Sequence, residues 1–319
     1  MRALVTGSTG FLGQHLVREL LAHGYAVTAL VRTFERTRAL PRGVRAFPAD
    51  ITQPEALRGC LAGVDVVFHL AAVPLVGVKA PDRARVLRIN VDGTRNVLAQ
   101  AAAAGVGRIV HVSSLAVYGH TAGRLVDETY RPGSVAFQGE AQRTQHLAHF
   151  QAAAPLQASG APVIIACLGA LYGPGDRSGL ARLLRRHARR QLPVLIGPDN
   201  ARSWTLAADA AAGLRLAAER GRLGEVYHLA GPAHTWRAFL EACAQASGAP
   251  PPWLWLPSRL AAVGAQLLAR PAPHWAERLR SVAGITYLGR ADKAAQELGW
   301  HARLLAEGLP STFDWLKET

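Results

Sequence analysis

The stretch Thr6-Gly7-Ser8-Thr9-Gly10-Phe11-Leu12-Gly13 separates an apolar segment at residues 2–6 from a helical pattern at residues 11–23. In such a strand-to-helix turn, the first glycine permits the tight turn and the second lets a diphosphate approach the backbone. The third glycine lets the helix pack close to the strand. Free N–H groups and the positive end of the helix then face the phosphates. The stretch therefore predicts an NAD(P) diphosphate site formed by Gly7, Thr9, Gly10, Phe11, Leu12 and Gly13.

Apolar segments alternate with helical patterns beyond this loop. Strands are predicted at residues 26–31, 44–47, 64–70, 108–113 and 163–168, and helices at residues 54–60, 81–104 and 140–153. Because this alternation forms parallel βαβ units, we expect an α/β protein with a doubly wound parallel sheet, a Rossmann fold. After residue 170 the strand rhythm weakens, which predicts a smaller C-terminal substrate lobe. We assign residues 1–169 and about 204–232 to the nucleotide-binding domain, and about 170–203 and 233–319 to the lobe.

The composition of the 319 residues is that of a globular protein, with 50% hydrophobic and 18% charged residues. The net charge of +14 arises mainly from arginine. No nucleic-acid-binding module is visible, so we attribute this charge to arginine-rich composition and an anionic coenzyme, and a nucleic-acid partner is unlikely. The three cysteines lack metal-ligand spacing, and no metal site is predicted. No apolar stretch is long enough to span a bilayer and no leader precedes the first strand, so a cytoplasmic protein without a transmembrane segment is expected.

Two positions bear on the choice of coenzyme. NAD-binding sites place an acidic residue after the second strand, whereas this chain has Arg32 and Arg36 there. A guanidinium suits the 2′-phosphate of NADP, so we predict NADP, with NAD possible and solvated loop arginines as the alternative. Asp50 and Ile51 follow the third strand, where the carboxylate either binds the adenine amino group or caps the next helix.

Several motifs together resemble the extended short-chain dehydrogenase/reductases, the NAD(P)-dependent epimerase/dehydratase superfamily. Besides the glycine loop, they are Val67-Phe68-His69-Leu70-Ala71-Ala72, Asn90-Val91-Asp92-Gly93-Thr94, Val112-Ser113-Ser114-Leu115-Ala116-Val117-Tyr118-Gly119 and Leu171-Tyr172-Gly173-Pro174-Gly175. The resemblance implies that Leu70, Ala71, Ala72 and Asn90 line the coenzyme cleft and that Ser114 holds the substrate oxygen. It also implies a homodimer paired through the helices near residues 81–104 and 140–153.

The chain departs from this family at the catalytic pair. The resemblance implies a tyrosine that exchanges a proton with the substrate, and a lysine one helical turn later that lowers the phenol pKa. None of the six tyrosines has a lysine four residues later. In the best register Ala141 replaces the tyrosine and Gln145 the lysine, and a second register uses Phe137 and Ala141. Gln145 can still donate to a ribose hydroxyl.

Four side chains are candidates for the missing proton donor. They are Tyr118, Glu140, His146 and His149. The alternative is that Tyr118 is a core residue, Glu140 a carboxylate at a helix start, and the two histidines solvated helix residues. His69 and His111 lie on predicted buried strands and are expected to be core histidines. The basic stretch at residues 180–190 predicts a solvated surface helix, with an anionic ligand or membrane surface as the alternative. The tryptophans at residues 253–255 and the apolar stretch at 260–268 resemble the branches of the family with apolar substrates, as pocket or core residues.

These features support three hypotheses. The first is an NADP-dependent oxidoreductase acting on a carbonyl or secondary alcohol of a small metabolite. The second is an NAD(P)-binding sensor or scaffold that has lost catalysis, suggested by the missing pair. The third is a nucleotide-sugar epimerase or dehydratase, suggested by Arg202, which matches the family's arginine on a substrate diphosphate.

Overall fold

Seven parallel strands form the central sheet in the order β10-β6-β5-β4-β1-β2-β3. They are β1 (Arg2–Thr6), β2 (Ala26–Val31), β3 (Arg45–Pro48), β4 (Val66–His69), β5 (Arg108–Ser114), β6 (Val163–Leu168) and β10 (Val226–Leu229). The structure is a computed structural model that describes residues 1–73, 79–280 and 284–318, without the side chains of Arg36, Ala39 and Arg278. The order reverses at β1 and β4, so their carboxyl ends open a crevice of the kind that binds dinucleotides. The predicted Rossmann fold is confirmed.

Helices cover both faces of this sheet. They are α1 (Phe11–Ala22), α2 (Pro54–Leu61), α3 (Arg83–Leu87), α4 (Gly93–Ala103), α5 (Glu140–Leu147), α6 (Ala154–Ala158) and α8 (Ala207–Arg220). One hydrophobic core lies between the sheet and α1 with α8, and a second lies between the sheet and α2, α4 and α6. Strands covered on both faces are apolar on both faces, which explains the continuous apolar run at β6.

Two of the helices contain one wide turn each. A π-helical segment, Arg88–Asp92, joins α3 to α4, and another, Ala148–Ala153, joins α5 to α6. Sequence periodicity predicted a single helix in each place. A π turn rotates the side chains that follow it, and such turns are frequent at functional sites. The two turns carry Asn90 and His149, both of which face the interior.

The C-terminal part builds a third core beside the carboxyl edge of the sheet. Its elements are β7 (Ala170–Tyr172), α7 (Gly179–Ala188), β8 (Val194–Ile196), β9 (Ala201–Leu206), β11 (Ala233–Thr235), α9 (Trp236–Ser247), β12 (Leu254–Leu256), α10 (Ser258–Leu267), α11 (Pro273–Arg280) and α12 (Leu305–Glu318). Trp204 stacks on Phe239 with ring centroids 3.8 Å apart at the centre of this core. Between α11 and α12, the π-helical segment Ala294–Leu298 returns to the first core with Trp300. The domain boundaries and the homodimer stay predictions.

No helix among the described residues combines the length and the apolar character that crossing a bilayer requires.

Residues 300–303, which follow the π-helical segment Ala294–Leu298, are held to α8 through Asp209. The buried carboxylate accepts bonds from the Arg303 backbone N–H at 2.9 Å and from Arg303 Nε at 2.7 Å, while the Asp209 carbonyl accepts from Trp300 Nε1 at 2.7 Å. The substitution Asp209→Ala leaves the Arg303 backbone N–H and Nε without their acceptor, while the backbone carbonyl at position 209 still accepts from Trp300 Nε1. We expect it to lower the free energy of unfolding by about 2 kcal/mol in urea titrations. The exposed Asp314–Lys317 pair supplies the control, because Asp314→Ala should change stability by less than about 0.5 kcal/mol. Equal effects of the two substitutions would contradict this assignment.

Candidate coenzyme and substrate cleft

The glycine loop lies against the end of β4. Gly7 has φ of 71°, and a Cβ there would meet the Ala71 nitrogen at 2.8 Å. A Cβ on Gly13 would overlap the Gly7 carbonyl oxygen. Helix α1 begins after Gly10 without a side-chain cap and without an acidic residue in its first turn. Its N-terminal amides are therefore available to an anion, and the residues of this turn fit the diphosphate of a dinucleotide.

The loop opens on a cavity of about 460 Å³ that collects most of the residues predicted to hold the coenzyme. Its lining includes Gly7, Thr9, Gly10, Phe11, Leu12, Gly13, Arg32, Asp50, Ile51, Leu70, Ala71 and Ala72. Arg32 is exposed at the carboxyl end of β2, where a guanidinium can reach a ribose phosphate. The Arg36 side chain lies outside the described residues. The structure thus brings these predicted positions together, and their binding roles stay predictions.

Asp50 performs a local function as well as lining this cavity. Its Oδ1 accepts from the Thr52 backbone N–H at 2.9 Å and from the Thr52 hydroxyl at 2.8 Å, which closes the turn before α2. Gln53 occupies the N-cap position of α2, so Asp50 closes the turn before the helix and does not cap the helix itself. Ile51 is buried and packs where a Cβ of Gly93 would stand. Asp50 therefore has one oxygen occupied by the turn and also borders the cavity.

A second cavity of about 510 Å³ adjoins the first and shares Leu12, Leu70, Ala71, Ala72, Val112 and Leu171 with it. It reaches the carboxyl ends of β5 and β6, where Ser113 and Ser114 are the last two residues of β5. Gln145 from α5 and Arg202 from β9 complete its polar wall. The two cavities together make one cleft along the switch point of the sheet, the usual position of ligands in this type of fold.

Asn90 borders this cleft but its side chain holds the protein together. Its Oδ1 accepts from the Val73 backbone N–H at 2.7 Å, and its Nδ2 donates to the Val73 carbonyl at 3.2 Å and to Thr144 Oγ1 at 2.9 Å. The amide therefore fixes the backbone that follows Ala71 and Ala72, and joins it to α5 beside Gln145. Asn90 shapes the cleft through these contacts.

Ser114 and Gln145 have polar atoms available at the cleft. Ser114 Oγ accepts from the Ala116 backbone N–H at 3.2 Å, so its own proton can be donated to a ligand. Within the described part of the chain, the Gln145 amide has no hydrogen-bond partner. Ala141 is buried one helical turn before Gln145 and does not border either cavity.

The four candidate proton donors differ in their relation to the cleft. The Tyr118 hydroxyl bonds His228 Nε2 at 3.0 Å inside the core, and Glu140 pairs with Arg143. His146 Nδ1 bonds the Val117 carbonyl at 2.7 Å. Only His149 is connected to the cleft, because its Nδ1 lies 2.8 Å from the hydroxyl of Ser113. Sequence reasoning missed Ser113, since its pairing depends on the π turn in the helix that carries His149.

A group of buried imidazoles lies under the cleft. His69 bridges Thr6 Oγ1 at 2.8 Å and Thr94 Oγ1 at 3.0 Å, and its ring stacks on His111. The His111 ring borders the cleft with a buried Nδ1 that has no partner among the described residues. Burial lowers the pKa of His69 to about 4 and that of His111 and His149 to about 3, so all three imidazoles are neutral at pH 7.

Arg202 is a half-buried cation of the cleft. Its guanidinium carbon lies 5.1 Å from the centre of the Tyr287 ring, and burial lowers its pKa. A cation over an aromatic face retains part of the stabilisation that it loses on leaving water. The position favours a ligand with an anionic group.

Comparison with known proteins now identifies the family. Residues 3–230 match the NAD-dependent epimerase/dehydratase family. The chain belongs to this family. The resemblance to extended short-chain dehydrogenase/reductases, inferred from the motifs, is therefore confirmed.

Three similar proteins illustrate the range of activities named in this family. The chain is 31% identical to a putative dihydroflavonol 4-reductase of Synechocystis sp., over 98% of this chain and 94% of that protein. It is 33% identical to the 4-hydroxy-2-methyl-3-oxo-4-farnesyl-3,4-dihydroquinoline-1-oxide ketoreductase of Stigmatella aurantiaca, over 95% of this chain and 93% of that protein. A dTDP-glucose 4,6-dehydratase from Streptomyces venezuelae, solved with NAD bound, has a TM-score of 0.80 and 27% identity, covering 100% of this chain and 98% of that one. Reductases and a dehydratase thus share this fold.

The buried imidazoles predict a pH-dependent stability. A histidine whose pKa is lower in the folded than in the unfolded protein takes up a proton on unfolding below pH 6.5. Its contribution to the free energy of unfolding is therefore fully present above pH 6.5 and is lost as the pH drops toward the folded pKa. Each such group contributes up to about 1.4 kcal/mol per pH unit. We therefore expect His149→Gln to reduce the slope of unfolding free energy against pH between 6 and 4.5 by roughly this amount.

Urea titrations at several pH values measure this slope. His301→Gln removes an exposed imidazole and serves as the control. An unchanged slope in His149→Gln would show that His149 is not buried in its neutral form.

Proposed function

We propose that this chain is an NADP-dependent oxidoreductase that acts on a carbonyl or secondary alcohol of a small, largely apolar metabolite. The observation that supports this best is the joined cleft, with the glycine loop and Arg32 at one end and Ser114 at the other. A bound coenzyme would supply or accept a hydride. Its diphosphate would lie against the α1 amides, and the Arg32 guanidinium would bind the 2′-phosphate.

Ser114 would hold the substrate oxygen. Its hydroxyl proton is free to point into the cleft because Oγ already accepts the Ala116 N–H. A hydroxyl in this position stabilises the charge that develops on the oxygen during hydride transfer. Gln145 would donate its amide to a ribose hydroxyl, as a neutral replacement for the family's lysine.

Ser113 and His149 would exchange the proton. In alcohol oxidation the substrate proton passes to Ser113 Oγ while the Ser113 proton passes to His149 Nδ1, and reduction reverses both transfers. Burial lowers the pKa of His149 to about 3, so the protonated imidazole is scarce near neutral pH. We therefore expect turnover to be slower than with a tyrosine–lysine pair.

The lining of the cleft supports an apolar substrate. Val112, Ala148, Leu168 and Leu171 face the second cavity between its polar groups. The ketoreductase relative is named for a farnesyl-bearing ring system, and such a substrate fits a cleft of this character. The half-buried Arg202 favours the second candidate, a nucleotide-sugar epimerase or dehydratase, because its cation would bind a substrate diphosphate.

The coenzyme assignment predicts a selective effect of Arg32. Arg32→Ala removes a charge-assisted bond to the 2′-phosphate, so the Kd for NADPH should rise about 10- to 100-fold while that for NADH changes less than about twofold. Isothermal titration measures both constants. Arg18→Ala removes an exposed arginine of α1 that does not border the cleft, and it should leave both constants unchanged. Parallel weakening of NADPH and NADH by Arg32→Ala would contradict the NADP assignment.

The catalytic assignment is tested by turnover with a panel of ketones, aldehydes, quinones and secondary alcohols. We expect NADPH-dependent turnover, reduced about 100-fold or more in kcat by Ser114→Ala without a change in coenzyme affinity. The double substitution Ala141→Tyr with Gln145→Lys restores the family pair and should raise kcat by a factor within the range ~10²–10⁴. The Tm of each variant serves as the control for folding.

The alternatives give different results in the same experiments. The epimerase or dehydratase would be supported by three results together. They are no redox turnover, a rise in Tm on adding UDP- or dTDP-sugars, and loss of that rise in Arg202→Gln. Coenzyme binding without turnover or a sugar effect would support the sensor. No coenzyme binding at all would overturn all three.

A further inference from the structure

Exposed apolar side chains are concentrated in one short part of this chain. Eleven large hydrophobic residues of the described chain are exposed, and six lie between residues 253 and 275. These six are Trp253, Leu254, Leu260, Val263, Leu267 and Trp275. Single exposed apolar residues are common on protein surfaces, but a group of them marks an interaction site. We call residues 253–275 the apolar surface segment.

Helix α10 presents three of them as one stripe. Leu260, Val263 and Leu267 are 49%, 53% and 73% exposed, and at 100° per residue they fall within about 60° of one another. The opposite side is already packed, because Ala261 and Ala265 are buried. On the flank next to Leu260, a Cβ of Gly264 would meet Leu279 of α11 at 3.1 Å. The protein therefore holds the helix by its small residues and leaves the large ones outside.

Along the chain, the charged residues near the stripe all have one sign. No aspartate or glutamate occurs between Glu241 and Glu277, and Glu277 itself is buried. Arg259 is exposed about 40° from Val263 on the helical wheel, and Arg270 is exposed just beyond the end of α10. An apolar stripe bordered by arginine is the pattern of a helix that lies in a bilayer interface. Tryptophan is also enriched at that depth, and Trp253 and Trp275 are 76% and 51% exposed.

We propose that the apolar surface segment docks this protein on the surface of an anionic lipid bilayer. Leu260, Val263 and Leu267 would enter the acyl boundary, and Arg259 and Arg270 would meet the lipid phosphates. A second copy of the chain fits less well. A twofold contact brings the same patch against itself, so the arginines at its edge would face arginines.

The experiment is co-sedimentation of the full chain with vesicles of phosphatidylcholine alone or with phosphatidylglycerol. We expect binding to the mixed vesicles and little to phosphatidylcholine alone. Val263→Glu with Leu267→Glu should weaken vesicle binding by roughly tenfold or more, because two apolar side chains no longer enter the acyl boundary. Leu223→Glu with Leu304→Glu makes the same chemical change at exposed sites outside the segment, and should have no more than the effect of its charge.

A second pair of variants separates local from general attraction. Arg259→Gln with Arg270→Gln should weaken binding roughly fivefold per arginine. Arg182→Gln with Arg189→Gln removes the same charge from exposed positions on α7 and at its end, and should have a smaller effect. Equal effects would mean non-specific attraction of a basic protein and would overturn the docking surface.

Two further measurements identify what covers the segment. Brominated phosphatidylglycerol should quench part of the tryptophan fluorescence of the wild-type protein, and Trp253→Phe with Trp275→Phe should remove that quenching. Sedimentation equilibrium tests the second copy as occupant. The proposal would be overturned if the wild type did not bind vesicles and formed a dimer that Val263→Glu with Leu267→Glu converts to a monomer. Absence of quenching in the wild type would also overturn it.

Discussion

The close approach between the glycine loop and the end of β4 is the constraint on which the cleft depends. A Cβ on Gly7 would meet the Ala71 backbone at 2.8 Å, so only glycine permits this contact. Thr6 fixes the same backbone by hydrogen bonds, because its Oγ1 accepts from both the Leu70 and Ala71 N–H groups at 3.2 Å. The loop, the first turn of α1 and the wall at residues 70–72 are therefore positioned as one unit. The coenzyme half of the cleft follows from a few backbone contacts.

The grouping of these residues in one cavity follows from local sequence features, and their binding roles stay predictions. Strand periodicity, the glycine spacing and the residues that end each strand are local features, and a parallel sheet brings strand ends to one edge. The residues that follow β1, β2, β3 and β4 therefore met in one cavity as predicted. The proton-transfer side depends on contacts that periodicity does not encode. The Ser113–His149 contact requires a π turn, and the Asn90 amide bonds a backbone segment 17 residues away.

The loss of the tyrosine–lysine pair changes the electrostatics of the cleft as well as its chemistry. A lysine at position 145 would bring a charge beside buried imidazoles, whereas Gln145 is neutral. Burial already keeps His69, His111 and His149 neutral at pH 7 by lowering their pKa values. The described cleft thus retains Arg202 as a half-buried cation in its second cavity. A site of this kind can orient an anionic or apolar ligand, but it has little acid strength of its own near neutral pH.

The C-terminal segment shows why apolar sequence alone does not locate a core. The apolar stretch at residues 260–268 resembles the branches of the family with apolar substrates, yet α10 packs through Ala261, Gly264 and Ala265. Small side chains allow close packing of α10 on α11, and the same helical spacing then directs the leucines and valine outward. An apolar face that a chain keeps in water is disfavoured unless something covers it. The absence of acidic residues from 242 to 276 makes an anionic surface the complementary cover.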